Sequence, residues 1–402
     1  MSAMGLFLQK LQASKKFIQQ PEGLSAAQRA ELLLHLAQDL RKNSAIWASI
    51  DPMSGLFSEG FYLEVVVGSA VRQLERVASE VTGTHEGIRA SGVHALVLGR
   101  QVFLPAFFEI LGASLAAGNA ILCHATSEME SFLSRVRTSG SAISPAAEGS
   151  FEFVIDEKAE SLALFLGHPG VRAVSVTGRV TDTLARELGA PQAWLEKKWQ
   201  IFRGGKSTAV VLADADLEKA ADGILRAVTE GQGALPWSIS RLIVVESVEE
   251  KLREILKNRL SMIKSQADET TRKIQNKLLT SLQSEKAREL LPGAPVTILE
   301  NVSNCSEYHQ IELESPVLFW IGVKYAFDAA KWVNNLPNSL GVQFWGSPEK
   351  IEKLLPKIET AQIWRESWIE NQKVWSQGMK SSFAGIADPR WNGYFYSEKT
   401  NL

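Results

Sequence analysis

Gly204-Gly205-Lys206-Ser207 opens the stretch GGKSTAVVLADADLEKAADGILRAVTEGQGALPWSISRLIVVES, residues 204–247. Within it, Ala209 to Leu212 is a short apolar run that suits a strand, and Leu217 to Thr229 repeats its apolar residues at helical spacing. Arg241 to Glu246 reads as a second strand. Strand, helix and strand in that order build a parallel sheet with helices packed on it. A lone Gly-Gly-Lys would carry no weight, because short glycine motifs recur by chance.

Outward from this stretch the alternation continues. Toward the amino terminus, strands are expected at Gly92 to Leu98, Ala120 to Cys123, Phe151 to Ile155 and Val171 to Val176, with helices near Phe107 to Leu115, Glu128 to Arg137 and Thr181 to Leu188. Before them, Ser25 can cap an amphipathic helix to Asn43 that carries Leu32, Leu33, Leu36 and Leu40, and a second helix covers Phe61 to Val81. Thr82, Gly83, Thr84 and Gly87 make a turn, and Gly118-Asn119 makes another. Toward the carboxyl end, Val248 to Glu289 reads as one lysine-rich helical stretch with a solvated face over an apolar stripe.

The chain has 402 residues with 45% hydrophobic content, enough for a large core and more than one compact unit would ordinarily hold, so two sub-domains are expected. Lysine plus arginine (43) nearly balances aspartate plus glutamate (45), and a net charge of -2 gives no field to gather nucleic acid or an anionic membrane surface. Cys123 and Cys305 are too few and too isolated for a disulfide framework or a thiolate metal site, which fits a reducing cytoplasmic setting. The start, MSAMGLFLQKLQASKK, interleaves apolar residues with lysines and does not read as a signal peptide. The longest apolar stretch, Val102 to Ala117, is broken by Glu109 and glycine, so no membrane span is expected.

Several pieces in a fixed order carry a family resemblance. The 204–247 stretch resembles the aldehyde dehydrogenase pattern of a glycine-glycine-lysine turn, a strand, an aspartate-rich cap, a helix and a Gly-Gln loop leading to an arginine that opens the next strand. Leu115-Ala-Ala-Gly-Asn119, His168-Pro169-Gly170-Val171 and Val174 to Gly178 are similar to its upstream motifs, and Glu312, Pro316, Asn334 to Gly341, Gly378 to Ser382 and Tyr396 to Lys399 follow in the family's order. The resemblance implies an α/β fold of two Rossmann-like parallel-sheet domains with a small oligomerisation β-hairpin. It assigns 1–203 and 373–390 to a cofactor-type domain, 204–372 to a catalytic-type domain, and 81–98 with 391–402 to oligomerisation. It also implies a homodimer, or a hetero-oligomer with a homologous aldehyde dehydrogenase.

The same resemblance says where the chemistry should lie. Oxidising an aldehyde needs a thiolate nucleophile, oxyanion donors, a base and a nicotinamide to take hydride. Counted back from Arg241, the nucleophile's position is held by Pro236, which has neither a thiol nor a backbone N–H. Phe202 holds the general-base position, with Arg203 beside it. Gln101 replaces the oxyanion-hole asparagine one methylene further out. On the cofactor side, His124 stands for the ribose-binding lysine, Ala125 for the usual proline, and Asp156 to Ala159 for the glycine turn that approaches pyrophosphate. Glu312 and Gly178 are retained, but Glu314 takes the place of the aromatic residue that packs on the cofactor.

The expectation is a catalytically inactive homologue that binds a partner or ligand, with no cofactor required. Two other readings stay open: a divergent NAD(P)-dependent oxidoreductase acting on aldehydes or acyl derivatives, and a small-molecule sensor. Ser238 and Ser240 are substitute nucleophiles only if a base reaches them. Cys123 reads as a core residue and Cys305 as an ordinary loop thiol. Trp364, Trp368 and Trp375 suit packing at a core or rim.

Overall fold

A computed structural model describes residues 2–19, 24–81, 88–99, 101–141, 147–157, 161–178, 197–201, 205–263, 269–282, 286–313, 315–336, 339–360, 362–368 and 397–399. The chain divides into two compact units, residues 1–203 with 385–402, and residues 204–384.

The first unit is built on five parallel strands: β2 (Val93–Leu98), β3 (Ala120–Ala125), β4 (Phe151–Ile155), β5 (Val171–Thr177) and β6 (Lys198–Ile201). Their spatial order is β4-β3-β2-β5-β6. The chain therefore winds outward from β2 in one direction and then restarts beside it with β5. β2 and β3 are buried along their whole length, as apolar strands covered on both faces must be. The helix Leu104–Ala116 lies behind β2, with every residue from Leu104 to Leu115 buried. His94 ties this layer together. Its Nδ1 is 3.0 Å from Ser114 Oγ, its Nε2 is 2.9 Å from Ser175 Oγ, and Ser175 in turn donates to Gln200 Oε1 at 2.9 Å. Since the Ser175 proton goes to Gln200, Nε2 donates to Ser175, and in the neutral ring Nδ1 accepts from Ser114. Burial agrees, pushing the His94 pKa down to about 3.

The helix Ala26–Lys42 begins at Ser25 with reciprocal capping bonds to Gln28, and its leucines are buried as their spacing predicts. The expected helix from Phe61 is interrupted: a π-helical turn, Tyr62–Val67, precedes the α-helix Gly68–Val81. A helix at Ala3–Ile18 is new relative to the sequence reading. Phe7, Leu11, Ser14 and Phe17 form its buried stripe, and Lys10 pairs with Glu152 of β4 at 2.7 Å. Gly149 is indispensable beneath it, because a Cβ there would come within 2.7 Å of Ala13 O.

The second unit carries seven strands: β7 (Ser207–Val211), β8 (Ile239–Val245), β9 (Arg288–Glu289), β10 (Thr297–Glu300), β11 (Val317–Val323), β12 (Gly341–Trp345) and β13 (Gln362–Arg365). Their order is β13-β12-β7-β8-β11-β10-β9, parallel except for antiparallel β9 against β10. The helix Leu217–Thr229 starts at Asp216, whose side chain accepts from Lys219 N. Val248 to Glu289 is not one helix. It forms two, Glu246–Met262 and Glu269–Ser281, and ends in β9.

The expected hairpin within 81–98 is also corrected. Val93–Leu98 is the middle strand of the five-stranded sheet, and among the described residues it is β1 (Ile88–Ala90) that meets the tail, pairing antiparallel with β14 (Ser397–Lys399). Trp368 is buried and Trp364 half-buried in β13. The expected helix at Thr181 to Leu188, the returning segment 373–390 and Trp375 lie outside the described residues.

Candidate active site

In the first unit the direction of winding reverses between β2 and β5, and the carboxyl ends of these two strands form the crevice where an open parallel sheet receives a ligand. Gly99, just beyond β2, donates its N–H to Thr177 O at 2.8 Å, closing the strands side by side. Gly178 follows β5 with φ +84°. Gln101 follows β2 with φ 52°, a left-handed conformation costly for a residue with a Cβ, and its buried Oε1 has no hydrogen-bond partner. These three residues are brought together at the switch point.

His124 is not presented to a ligand. It is 5% exposed at the end of β3, with its Nε2 3.6 Å from Asp156 Oδ2 and its ring set edge-on against Phe165 at 5.2 Å. Desolvation lowers its pKa, while Asp156 opposes the shift. Asp156 is itself committed: Oδ2 accepts from Ser161 N at 2.6 Å and Ser161 Oγ at 2.8 Å. Phe165 packs in turn on Phe7 of the amino-terminal helix, ring centroids 4.8 Å apart. The position expected to grip a ribose is thus turned into the protein and sealed by an aromatic layer. Glu157 bonds Ser127 N at 2.6 Å, and Lys158 and Ala159 lie outside the described residues.

In the second unit the Gly-Gln loop is held by left-handed backbone at Gly231 (φ 76°), Gln232 (φ 48°) and Gly233 (φ 80°). Gly233 fits because nothing larger can: a Cβ would lie 2.3 Å from Ser315 O. The loop then runs through half-buried Pro236, whose carbonyl accepts from Gly205 N at 3.1 Å. That bond ties Gly205, at the entrance to β7, to the loop at Pro236. Ser238 is 7% exposed, and among the described residues no base is hydrogen-bonded to its Oγ. Glu312 is exposed, whereas Phe202, Arg203 and Glu314 lie outside the described residues.

Both thiols are elsewhere. Cys123 is fully buried in β3, where desolvation raises its pKa, and Cys305 is exposed on the turn after β10. Among the described residues no group of acids, histidines and cysteines is arranged to hold a metal ion.

A sequence model of the aldehyde dehydrogenase family matches residues 106–402, well over half of the chain. The chain belongs to the aldehyde dehydrogenase family. Solved family members share its fold. It superposes on the NAD-dependent aldehyde dehydrogenase from Sinorhizobium meliloti with a TM-score of 0.84 at 21% identity, covering 99% of this chain and 86% of that one. The aldehyde dehydrogenase KauB from Pseudomonas aeruginosa gives 0.85 at 19% identity, covering 98% and 88%.

Among aldehyde dehydrogenases of named activity, it is similar to the 2-hydroxymuconic semialdehyde dehydrogenase of Pseudomonas sp. strain CF600, 22% identical over 98% of this chain and 90% of that protein. A Staphylococcus saprophyticus aldehyde dehydrogenase homologue is 27% identical over 49% of this chain and 46% of its own length. The expected α/β aldehyde dehydrogenase architecture is therefore established for this chain. No described helix is long and apolar enough to cross a membrane.

What the sequence reading missed is the burial of His124. Its signal was present in Phe165 and in the Phe7, Leu11, Phe17 stripe, which together predict an apolar lid over β3 and β4.

Proposed function

We propose that this aldehyde dehydrogenase family member does not oxidise aldehydes and works instead by binding, as an oligomer partner or scaffold. The observation that carries the reading is Pro236 at the nucleophile position, with one cysteine sealed inside β3 and the other on a distant turn. Proline supplies no nucleophile and no amide for an oxyanion, and a Ser238 hydroxyl without a base is no substitute. The burial of His124 beside Asp156, and the commitment of Asp156 to Ser161, add support on the cofactor side. No cofactor is required for such a role.

The assembly part of the reading draws on β1 and β14. Two strands of three residues each are marginal alone, and both outer edges of such a sheet carry unpaired backbone groups. Pairing with a second copy, or with a homologous aldehyde dehydrogenase, would satisfy an edge and make a two-fold dimer.

The names of the relatives favour a second reading, a divergent NAD(P)-dependent oxidoreductase. Calorimetric titration with NAD and NADP separates the two. The binding reading expects no tight site; a dissociation constant in the low micromolar range would favour the oxidoreductase.

A further inference from the structure

The second unit holds two cations in its interior, and among the described residues neither makes a salt bridge to a carboxylate. Lys206 and Arg241 are 1% and 0% exposed. Thr208 and Phe319 are the register neighbours of Arg241 in β7 and β11, so all three side chains leave the same face of the sheet. Lys206 Nζ sits 5.1 Å from the Phe319 ring centroid and donates to Ile311 O at 2.6 Å. The Arg241 guanidinium stands 5.5 Å over the Trp332 ring, and His309 packs between the two rings, 5.4 Å from Phe319 and 5.7 Å from Trp332.

Arg241 uses one nitrogen for structure. Its Nη2 donates to Trp332 O at 3.0 Å and to Asn335 Oδ1 at 3.1 Å, closing the end of the helix Ala326–Asn334. Its Nε and Nη1 meet no acceptor, and Thr208 Oγ1 beside it has none either. Burial and Arg241 together push the Lys206 pKa down to about 7, against the pull of exposed Glu312. Arg241, lowered only to about 10, keeps its charge at neutral pH. A buried guanidinium with two idle donors is among the least favourable arrangements in a protein interior, and an anion relieves it by Coulomb attraction and by accepting those bonds.

We propose that Arg241 and Lys206 form an internal site for a small inorganic anion, which accepts from Arg241 Nε and Nη1 and is balanced by the Lys206 ammonium.

The test is thermal unfolding of the full chain as chloride or phosphate replaces gluconate at constant ionic strength, with chloride-35 NMR line broadening as a direct readout. The expected result is a saturable rise in melting temperature, with line broadening that phosphate competes away. Lys206→Met, which keeps the aliphatic stem's volume, should raise the half-saturating concentration about tenfold or more, the usual worth of one charged partner. A melting temperature that is the same in gluconate and chloride, or that changes without saturating, would overturn the proposal. So would wild-type half-saturation in Lys206→Met. If that variant does not fold, chloride-35 broadening of the wild type that phosphate leaves unchanged counts equally against the site.

Discussion

Glu109 shows how much a single side chain can decide. It lies in the helix Leu104–Ala116, 2% exposed, with neither carboxylate oxygen hydrogen-bonded. Desolvation lifts its pKa to about 8, with Arg76 pulling the other way. The folded state therefore holds a proton that the unfolded state releases near 4.5, the ordinary value for glutamate, so this residue's share of stability is intact below pH 4.5. It is lost as pH rises toward 8, at about 1.4 kcal/mol for each pH unit between the two values. Glu109→Gln removes the titration. Denaturant melts of the two proteins from pH 5 to 8.5 should show the variant gaining on the wild type as pH rises; a constant difference would mean that Glu109 is ionised throughout. On the proposed reading of Pro236 as the nucleophile position, Pro236→Cys should not create dehydrogenase activity, because Gln101 and His124 are unchanged and a misplaced reacting group can cost about a hundredfold. The new thiol should still label with iodoacetamide, and robust turnover would mean that the cofactor side is intact.

At the scale of elements, the amino-terminal helix Ala3–Ile18 is the feature with most consequence for the site. Phe7 is fully buried against Phe165, which in turn walls His124, so Phe7→Ala should destabilise the first unit by about 3–5 kcal/mol, the usual range for a buried phenylalanine. Guanidinium melts measure this, and a loss under about 1 kcal/mol would show that the helix is not part of the cooperative core. Strands β2, β3, β4, β5, β7 and β8 were legible because continuous apolar runs bounded by glycine or polar residues have few alternatives. The amino-terminal helix was legible too, in its Phe7, Leu11, Ser14, Phe17 spacing, but lysines on its outer face drew attention to targeting instead of packing. The break between Met262 and Glu269 and the short β9 were hidden by charged residues that favour helix through the whole stretch. Pairing of β1 with β14 could be guessed only from resemblance, since local sequence does not choose between distant partners. At the site, counting from Arg241 placed Pro236 on the loop before β8, whereas the approach of His124 to Asp156 needed the register of β3 on β4.

For the whole molecule, the proposed binding role makes assembly the property to test. Deleting residues 393–402 removes β14 and should shift the protein toward monomer or aggregate, as read by sedimentation velocity at micromolar concentration; a full-length monomer, or a dimer indifferent to the truncation, would refute the assembly reading. The absence of catalysis is the central claim, and steady-state turnover tests it most directly. Purified full-length protein is assayed with NAD and with NADP against short aliphatic, aromatic and semialdehyde substrates. The account predicts no cofactor reduction above the buffer rate, because residues that act as a unit are not individually replaceable. Turnover well above buffer that survives a second purification would contradict it.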